Sequence, residues 1–288
     1  MSNKLVSVII PVFNGRDHIK EALLSVLDQS YSNIEIIIVD DASTDHTKNI
    51  IDSISNLKSL KYIRHSMNQG TSAARNTGFL HAKGDFIALL DQDDVWFHQN
   101  LTKQMSVFEK NPEIDFVFTN GYLGNKSSLI SHVSAPSFQM KFSKQIWPLK
   151  EIVPFPSGWC FKKTITEKIQ FDFKIFPLVY GDGDFFMRAI QAFNIYFLNE
   201  PLTFKVFRKQ SETEKIDTVM AQEKFLNKYQ DLLSQDEQYY FRSLKTLGKD
   251  FLNVNLKKKA RLYLWKAYQA DPLKFGVLGK VLKTFMIS

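Results

Sequence analysis

The sequence has very little cysteine and no long apolar run. Cys160 is the one cysteine among 288 residues, which excludes an intramolecular disulfide framework and a four-cysteine zinc site. This fits a reducing compartment, so we expect a cytoplasmic protein. No uncharged apolar stretch reaches the roughly 18 residues that a spanning helix needs. The N-terminal residues contain neither an apolar h-region nor a small-residue cleavage site, so we expect no signal peptide.

The composition is typical of a globular protein, but its charge is uneven. Apolar residues make up 44% of the chain and aromatic residues 14%, enough for a substantial core. The net charge is +7, yet residues 241–288 contain eleven Lys or Arg and two acids, a balance of +9, which leaves −2 for the first 240 residues. The basic character therefore belongs to the C-terminal part, and it favours anionic surfaces such as phospholipid or nucleic acid.

Strand and helix patterns alternate over the first 120 residues. The predicted strands are Leu5–Ile10, Ile34–Val39, Leu60–Arg64, Phe86–Leu90 and Ile114–Thr119. The predicted helices are Asp17–Gln29, a helix from Ser43 or Thr44 to about Ser55, Thr71–Ala82 and His98–Lys110. This order indicates an α/β fold with a mostly parallel sheet, right-handed crossovers and helices on both faces.

The second half is less regular until it becomes helical. Residues 120–156 are rich in Gly, Ser, Asn and Pro, so we predict a long loop there that is either functional or mobile. Ordered patterns return as predicted strands at Gly158–Lys163, Ile195–Leu198 and Leu202–Arg208, and as a helix at Asp184–Ala192. Further helices are predicted near 219–233, 236–253, 257–270 and 273–286. We therefore predict an α/β domain at 1–212 and a basic helical extension at 213–288.

The most informative motif is Asp91-Gln92-Asp93-Asp94, which directly follows the apolar strand Phe86–Leu90. Three carboxylates so close together repel one another unless a cation offsets them. Oxygen ligands on a short loop suit Mg²⁺ or Mn²⁺, which keep positions open for water and substrate phosphate. The carboxyl end of a parallel strand is also where open α/β sheets bind ligands. The alternative is a solvated acidic turn that caps the next helix.

Two further motifs follow the first two strands. The strand at Val8-Ile9-Ile10 is expected to end at Pro11, because proline cannot donate a hydrogen bond to a sheet. Phe13 then lies on a loop, where its ring either stacks on a base or packs in the core. Asp41, after the second strand, is a candidate acceptor for a nucleobase N–H or ribose hydroxyls, whereas helix capping accounts for Asp45.

Two helix starts complete the set of candidates. The small residues from Gly70 to Gly78 let a backbone approach phosphate, and Arg75, one turn into that helix, can pair with it. In Gly181-Asp182-Gly183-Asp184, Asp184 fits a helix N-cap. Asp182, predicted to lie just outside the helix, is the better candidate general base.

Together these segments resemble family 2 glycosyltransferases with the GT-A fold, over about residues 4–210. The resemblance implies that the nucleoside and donor contact Pro11, Val12, Phe13, Asn14, Asp41, Arg75, Asp91, Gln92 and Asp93, with Arg75 near the diphosphate. It also implies Asp93 and Asp94 as ligands of a divalent cation, Mn²⁺ or Mg²⁺, and Asp182 as the base that deprotonates the acceptor. Trp96, Trp159 and Gly181 are assigned to the acceptor side, although core packing is the preferred interpretation of Trp159.

The reaction implied is inverting transfer of a sugar from a nucleoside diphosphate donor, expected to be a UDP-sugar. The acceptor is a hydroxyl of a glycan or lipid-linked molecule, in the synthesis of cell-envelope polysaccharide. Three positions depart from the family. Gly181 stands where the family usually has Glu, His98 stands where it often has Pro, and Phe207–Gln210 lacks a histidine that many members carry.

Two other functions and one membrane contact stay open. A sugar nucleotidyltransferase needs a glycine-rich loop after its first strand, but Pro11–Arg16 contains one glycine. A non-catalytic nucleic-acid-binding protein is compatible with Lys257-Lys258-Lys259, but no nucleic-acid motif surrounds that run, so nucleic acid is not expected. The apolar and basic faces of 273–286 suit either packing on the preceding helices or peripheral association with the inner face of an anionic membrane.

Overall fold

The computed structural model describes residues 4–54, 59–125, 128–132, 140–143, 155–176, 180–206 and 212–272. The chain divides into two compact units, Met1–Arg208 and Lys209–Ser288. The domain boundary near 212 stays a prediction. Residues Phe207–Gln210 and the segment 273–286, both discussed above, lie outside the described residues.

The first unit begins with a regular alternation of strands and helices. Its elements are β1 (Val6–Val12), α1 (Ile19–Leu27), β2 (Ile34–Asp40), α2 (Thr47–Ile54), β3 (Leu60–Arg64), α3 (Thr71–His81), β4 (Phe86–Leu89), β5 (Val95–Trp96) and α4 (Asn100–Lys110). Strands β1 and β4 are buried along their whole length, as expected for parallel strands with helices on both faces. The predicted α/β alternation is confirmed over this part of the chain.

The carboxyl ends of three parallel strands meet at one edge of the sheet. In the register, Val12 lies opposite Asp40, and Ile9 lies opposite Leu89. The loops that leave β1, β2 and β4 therefore start side by side. This carboxyl edge is where an open parallel sheet binds its ligands.

The prediction that β1 ends at Pro11 is wrong, because the strand continues to Val12. Pro11 pairs with Val39 of β2, while pairing with β4 stops at Ile9. Ile9 points its carbonyl toward β4, where it accepts from Leu90 N at 3.1 Å. Pro11 has the same orientation as Ile9, so its missing N–H faces the side that β4 has already left.

The remaining strands make a mixed second half of the sheet. They are β6 (Phe116–Asn125), β7 (Ser128–His132), β8 (Met140–Ser143), β9 (Trp159–Lys162) and β10 (Asn194–Val206). The described residues give the strand order β3-β2-β1-β4-β9-β6-β10-β5, with β7 on β6 and β8 on β10. Parallel pairing holds among β1 to β4 and between β6 and β10, whereas β9 is antiparallel to both of its neighbours.

Two secondary-structure predictions in this half are wrong. Residues 120–156 are not one long loop, because β6 runs to Asn125 and pairs with β7 and β10. The two strands predicted at 195–208 are one strand, β10, whose register shifts on either side of Pro201. In both places pairing with distant strands overrides a weak local pattern.

The core lies in two layers, one on each face of the sheet. One layer packs α1 and α4 against the sheet through side chains such as Leu23 and Met105. The other packs α3 and α6 (Gly181–Ala192) and is rich in aromatic rings, namely Phe79, Phe116, Phe118, Trp159, Phe161, Phe171, Phe185, Phe186 and Phe197. The short helix α5 (Thr164–Lys168) joins the same layer through Ile165.

The second unit is helical. Its described helices are α7 (Glu212–Lys228), α8 (Gln230–Leu233), α9 (Glu237–Asn253) and α10 (Lys257–Ala270), the last with the bounds predicted from sequence. Asp236 caps α9 by accepting from Tyr239 N at 2.9 Å. Gly248 lets α9 and α10 approach closely, because a Cβ there would lie 2.7 Å from Leu264 Cγ. In the described part of the chain, no helix is long and apolar enough to cross a membrane.

Candidate active site at the carboxyl edge of the sheet

The side chain of Gln92 joins the loop after β1 to the acidic loop after β4. Phe13 N donates to Gln92 Oε1 at 3.0 Å, and Gln92 Nε2 donates to the Phe13 carbonyl at 3.1 Å. Gly15 makes room for this contact, because a Cβ there would lie 2.5 Å from Gln92 Oε1. Gln92 was predicted to contact the donor; in the structure it aligns the two loops that carry the other candidates.

Asn14 joins the loop after β1 to the loop after β2. Its backbone lies in the left-handed region with φ 49°, which asparagine tolerates better than most residues. Its N–H donates to Ser43 Oγ at 3.0 Å, and its Oδ1 accepts from Thr44 N at 2.8 Å. Asn14 therefore links the first two loops, as Gln92 links the first and the third.

The predicted donor residues at the end of β1 differ in exposure. Pro11 and Val12 are buried within the strand, so their side chains do not line an open surface. The Phe13 side chain is 42% exposed. The core-packing alternative for Phe13 is therefore wrong, and its ring is available at the sheet edge for stacking on a planar group.

Asp41 is placed differently from its predicted role as an acceptor for a nucleobase. It is 2% exposed, and its carboxylate accepts from the backbone N–H groups of Gln69 and Gly70 at 2.7–3.1 Å. His65 Nδ1 also contacts Asp41 Oδ1 at 2.7 Å. Because these partners occupy both oxygens, we correct the role of Asp41: it anchors the turn before α3. Gly70 adopts φ 90° in that turn, which explains the glycine there.

Arg75 connects α3 to the acidic loop. Its Nη2 donates to Asp91 Oδ1 at 2.6 Å, and the guanidinium lies 5.0 Å from the centroid of the Phe171 ring. The Arg75 side chain is only 7% exposed, and its Nε is a buried donor without a partner among the described residues. A rigid, charged guanidinium at this edge is suited to binding phosphate.

The acidic loop also contacts a lysine that was not among the predicted site residues. Lys205 Nζ, on β10, lies 3.3 Å from Asp94 Oδ2 and 3.9 Å from Asp91 Oδ2. Burial opposes its charge, but the carboxylates of Asp94 and Asp91 outweigh that effect and raise the pKa of Lys205. Lys205 is therefore a cation on β10 that lies beside the acidic loop.

The prediction that Asp94 is a metal ligand does not fit its surroundings. Asp94 is fully buried, its Oδ2 accepts from Ser157 Oγ at 2.6 Å, and its Oδ1 accepts from Val206 N at 3.1 Å. Burial, with the nearby charges of Asp91 and Asp93, raises the pKa of Asp94 to about 6. Ser157 Oγ also accepts from Asp91 N at 3.0 Å. We correct the role of Asp94: it fixes the acidic loop to β10.

The remaining carboxylates fit a divalent cation only if a substrate completes its coordination. Asp91 and Asp93 are partly exposed, and carboxylate oxygen is the ligand type that Mg²⁺ and Mn²⁺ prefer. Over the described ranges, no group of three or more His, Cys, Asp or Glu side chains is arranged to hold a metal ion. One or two carboxylates together with substrate phosphates are a common set of ligands for these ions.

The start of α6 brings the candidate base close to α3. Gly181 is the first residue of α6, and a Cβ there would lie 2.3 Å from Ser72 Oγ and 3.0 Å from the Phe176 carbonyl. Ser72 lies in the first turn of α3, one turn before Arg75. This close approach explains a glycine where the resembling family has Glu. Asp182, the next residue, is partly exposed beside this contact.

Two predictions about α6 are wrong. Asp182 lies inside the first turn of the helix, and its Oδ1 accepts from Gly183 N at 2.8 Å. Asp184 is not the N-cap, which is Tyr180 with φ 62°. Asp184 is fully buried and pairs with Arg188 at 2.6 Å. Of the two acids, Asp182 is the exposed one.

The two tryptophans assigned to the acceptor side are core residues. Trp159 is fully buried and contacts the rings of Phe116 and Phe185 at centroid distances of 5.3 and 5.9 Å. Trp96 is 3% exposed, and its Nε1 donates to the Ser157 carbonyl at 2.5 Å. Core packing, the preferred interpretation of Trp159, is confirmed, and this residue supports the sheet beneath α6. We correct the role of Trp96, which positions Ser157, the residue that contacts the acidic loop.

Comparison with known proteins identifies the family. The sequence profile of Glycosyl transferase family 2 matches residues 7–170, more than half of the chain. The chain belongs to glycosyltransferase family 2. It is therefore an enzyme of the glycosyltransferase class, and neither a sugar nucleotidyltransferase nor a non-catalytic nucleic-acid-binding protein is supported.

One relative within the family is the UDP-Glc:alpha-D-GlcNAc-diphosphoundecaprenol beta-1,3-glucosyltransferase WfgD of Escherichia coli. It is 36% identical over 136 residues, which are 47% of this chain and 53% of WfgD. The match therefore spans about half the length of this relative.

Solved structures show that the fold is GT-A. TarS of S. aureus in complex with UDP has a TM-score of 0.62 at 17% identity, covering 94% of this chain and 73% of that one. Mannosyltransferase PcManGT from Pyrobaculum calidifontis, in complex with GDP-Man and Mn²⁺, has a TM-score of 0.61 at 16% identity, covering 97% and 83%. The predicted fold class is confirmed.

Proposed function

We propose that this glycosyltransferase moves a sugar from a UDP-sugar to a hydroxyl of a lipid-linked glycan acceptor, with inversion at the anomeric carbon. The observation that carries the proposal is the convergence of three groups at one sheet edge: the exposed ring of Phe13, the guanidinium of Arg75 and the carboxylates of Asp91 and Asp93. These groups match the base, the diphosphate and the ribose or cation of a nucleotide sugar, in that order.

Asp182 is the proposed general base. Its carboxylate takes the proton of the acceptor hydroxyl as that oxygen attacks the anomeric carbon, and the bond to the nucleoside diphosphate breaks on the opposite face. One displacement at this carbon inverts its configuration. Arg75 stabilises the negative charge that develops on the departing diphosphate. Support for Asp182 over Asp184 comes from exposure, because Asp184 is buried in an ion pair.

We propose that the donor site also uses a divalent cation, Mn²⁺ or Mg²⁺, held by Asp93 with help from Asp91. When bound, this ion supplies Lewis-acid stabilisation of the leaving diphosphate. The related structure with GDP-Man and Mn²⁺ supports this choice. Both carboxylates are partly exposed, and the described residues contain no complete set of protein ligands for a metal ion, which favours an ion that binds together with the donor.

The acceptor proposal rests on the relative WfgD, whose name specifies a UDP-glucose donor and an acceptor linked to diphosphoundecaprenol. By analogy we propose a lipid-linked acceptor and a role in the synthesis of cell-envelope polysaccharide. Such an acceptor is held in a membrane. The proposed location is therefore the cytoplasmic face of that membrane.

We further propose that α10 contributes to peripheral membrane attachment. Leu262 and Trp265 are 49% and 45% exposed, and the helix carries five basic residues and no acidic one. Tryptophan, leucine and basic side chains on one helix suit the interface of an anionic bilayer. The contribution of 273–286 stays a prediction.

Replacing Leu262 and Trp265 together by serine should lower sedimentation with phosphatidylglycerol vesicles by roughly tenfold, because less apolar surface then enters the interface. Leu80→Ser is the matched control, since Leu80 is 76% exposed in the first unit. Equal sedimentation of the double variant and the unsubstituted protein would contradict attachment through α10.

The donor proposal is tested by thermal unfolding in the presence of nucleotides. UDP with Mn²⁺ at 100 times its Kd should stabilise the protein by about 2.7 kcal/mol, because it binds the folded state only. Arg75→Met should lose most of this stabilisation. CDP, GDP and ADP serve as controls for the base. A protein whose unfolding temperature is unaffected by every nucleoside diphosphate would contradict the proposal.

A further inference from the structure

Lys205 lies beside the proposed donor site but has no role in the function proposed above. It lies on β10, far along the chain from the acidic loop after β4. Its Nζ is 3.3 Å from Asp94 and 3.9 Å from Asp91, and its side chain is 35% exposed. A lysine that contacts Asp91 of the proposed cation site, and the neighbouring Asp94, changes how that site binds a cation.

Two cations offset most of the negative charge of the acidic loop in the part of the chain that the structure describes. Among the described residues, Asp91 and Asp94 pair with the two cations Arg75 and Lys205, and Asp93 adds a third carboxylate nearby. Asp91 lies between these cations, with Oδ1 on Arg75 and Oδ2 near Lys205. At such distances each like or opposite charge has a large effect on the affinity for a further ion.

The backbone holds Lys205 in this position. The residue that follows it, Val206, donates its N–H to Asp94 Oδ1 at 3.1 Å. Two residues earlier, Thr203 pairs with Trp96 of β5, the strand directly after the acidic loop. Since strand pairing and two contacts to Asp94 fix the same segment, the ammonium group is part of a built site.

We propose that Lys205 is a built-in counter-ion of the donor site: it holds Asp91 and Asp94 in place before a metal arrives, and it weakens the binding of a divalent cation on its own. The cation then binds well only together with a nucleoside diphosphate, whose negative charge offsets Lys205 and Arg75. Lys205 is a positioning residue, since it acts through the carboxylates. The part of this inference that concerns the nucleoside diphosphate rests on the proposed function. The expected effect of Lys205 on cation binding without nucleotide does not depend on the donor.

The test compares Mn²⁺ binding, without nucleotide, to the unsubstituted chain, Lys205→Met and Lys205→Arg by calorimetric titration. Removing the positive charge should tighten Mn²⁺ binding by roughly tenfold in Lys205→Met, whereas Lys205→Arg should retain the weak binding. A purely structural lysine gives the opposite change, because a disordered acidic loop binds Mn²⁺ less tightly. Lys162→Met is the matched control, since Lys162 pairs with Asp115 at 3.0 Å on another strand.

A second readout is UDP affinity in the absence of metal, which should fall by roughly tenfold in Lys205→Met because the site becomes more negative. Thermal unfolding checks that the variants fold; should Lys205→Met not fold, Lys205→Gln carries the same expectation. Unchanged or weaker Mn²⁺ binding on charge removal would overturn the inference. If UDP fails to bind the unsubstituted chain, the donor proposal fails, while the comparison with Mn²⁺ alone still decides the role of Lys205.

Discussion

Asp182→Asn is expected to lower kcat by about 10²–10⁴-fold, which is the contribution typical of a positioned general base. The affinity for UDP should stay unchanged, because Asp182 lies at the start of α6 and the proposed diphosphate contact is Arg75. Folding should also be preserved, since Asp182 is partly exposed and asparagine can still accept from Gly183 N. Initial rates of UDP release with saturating acceptor, together with calorimetric UDP titration, measure both quantities.

The matched control for this variant is Asp231→Asn, another aspartate in the first turn of a helix, α8, in the second unit. It should leave both kcat and UDP affinity unchanged. Turnover of Asp182→Asn at the rate of the unsubstituted enzyme would remove Asp182 from the mechanism. A parallel loss of UDP affinity would indicate that Asp182 acts through the donor site.

Substitution of the neighbouring residues Asp93 and Asp94 should affect different properties, namely metal-dependent UDP binding for Asp93 and folding stability for Asp94. Asp93→Asn is expected to weaken Mn²⁺-dependent UDP binding by about tenfold or more, with no change in the free energy of unfolding, because Asp93 is a proposed ligand on a partly exposed loop. Asp94→Ala is expected to cost about 3 kcal/mol of folding free energy, because it removes a buried carboxylate that accepts from Ser157 and Val206.

Denaturant unfolding and UDP titration with and without Mn²⁺ separate the two effects. Asp94→Asn is the conservative control, since its amide oxygen can keep one of the two hydrogen bonds and a smaller loss of stability is expected. If Asp94→Ala unfolds like the unsubstituted protein but loses Mn²⁺-dependent binding, Asp94 is a metal ligand after all. That result would restore the role predicted from sequence.

The fold of the first half could be predicted because its signals are local. Continuous apolar runs, with helical spacing between them, locate β1 to β4 to within a few residues. The full extents of β6 and β10 could not be predicted as well, because these two strands pair with each other across about 80 residues of sequence. Residues 120–125 and 199–201 carry polar or breaking residues that only the partner strands keep extended.

The sequence predicts which loops form the site, but it does not predict the role of each side chain in those loops. The ends of the parallel strands indicated that Phe13, Asp41 and Asp91 lie at one edge, and the register agrees. Exposure then separates candidates of the same residue type, such as Asp93 from the buried Asp94. Asp94 is the buried carboxylate of the three, and it accepts a hydrogen bond from Ser157, which lies 63 residues further along the chain.

Lys205 illustrates what spacing alone cannot reveal. A lysine in a strand of 13 residues normally has a solvated ammonium group, and its sequence neighbours Phe204 and Val206 indicate nothing else. Its contact with the acidic loop exists only because β10 passes beside that loop, although Lys205 is 111 residues from Asp94 along the chain. Similarly, Gly181 is explained by Ser72 of a different helix.

The central claim is that the carboxyl edge of the sheet binds a nucleoside diphosphate sugar, and a crystal structure of the chain with UDP and Mn²⁺ tests it most directly. We expect the uracil ring against Phe13, the diphosphate within hydrogen-bonding distance of Arg75, and Mn²⁺ coordinated by Asp93 and the phosphates. UDP bound elsewhere, with Arg75 and Asp93 making no contact to it, would contradict the account.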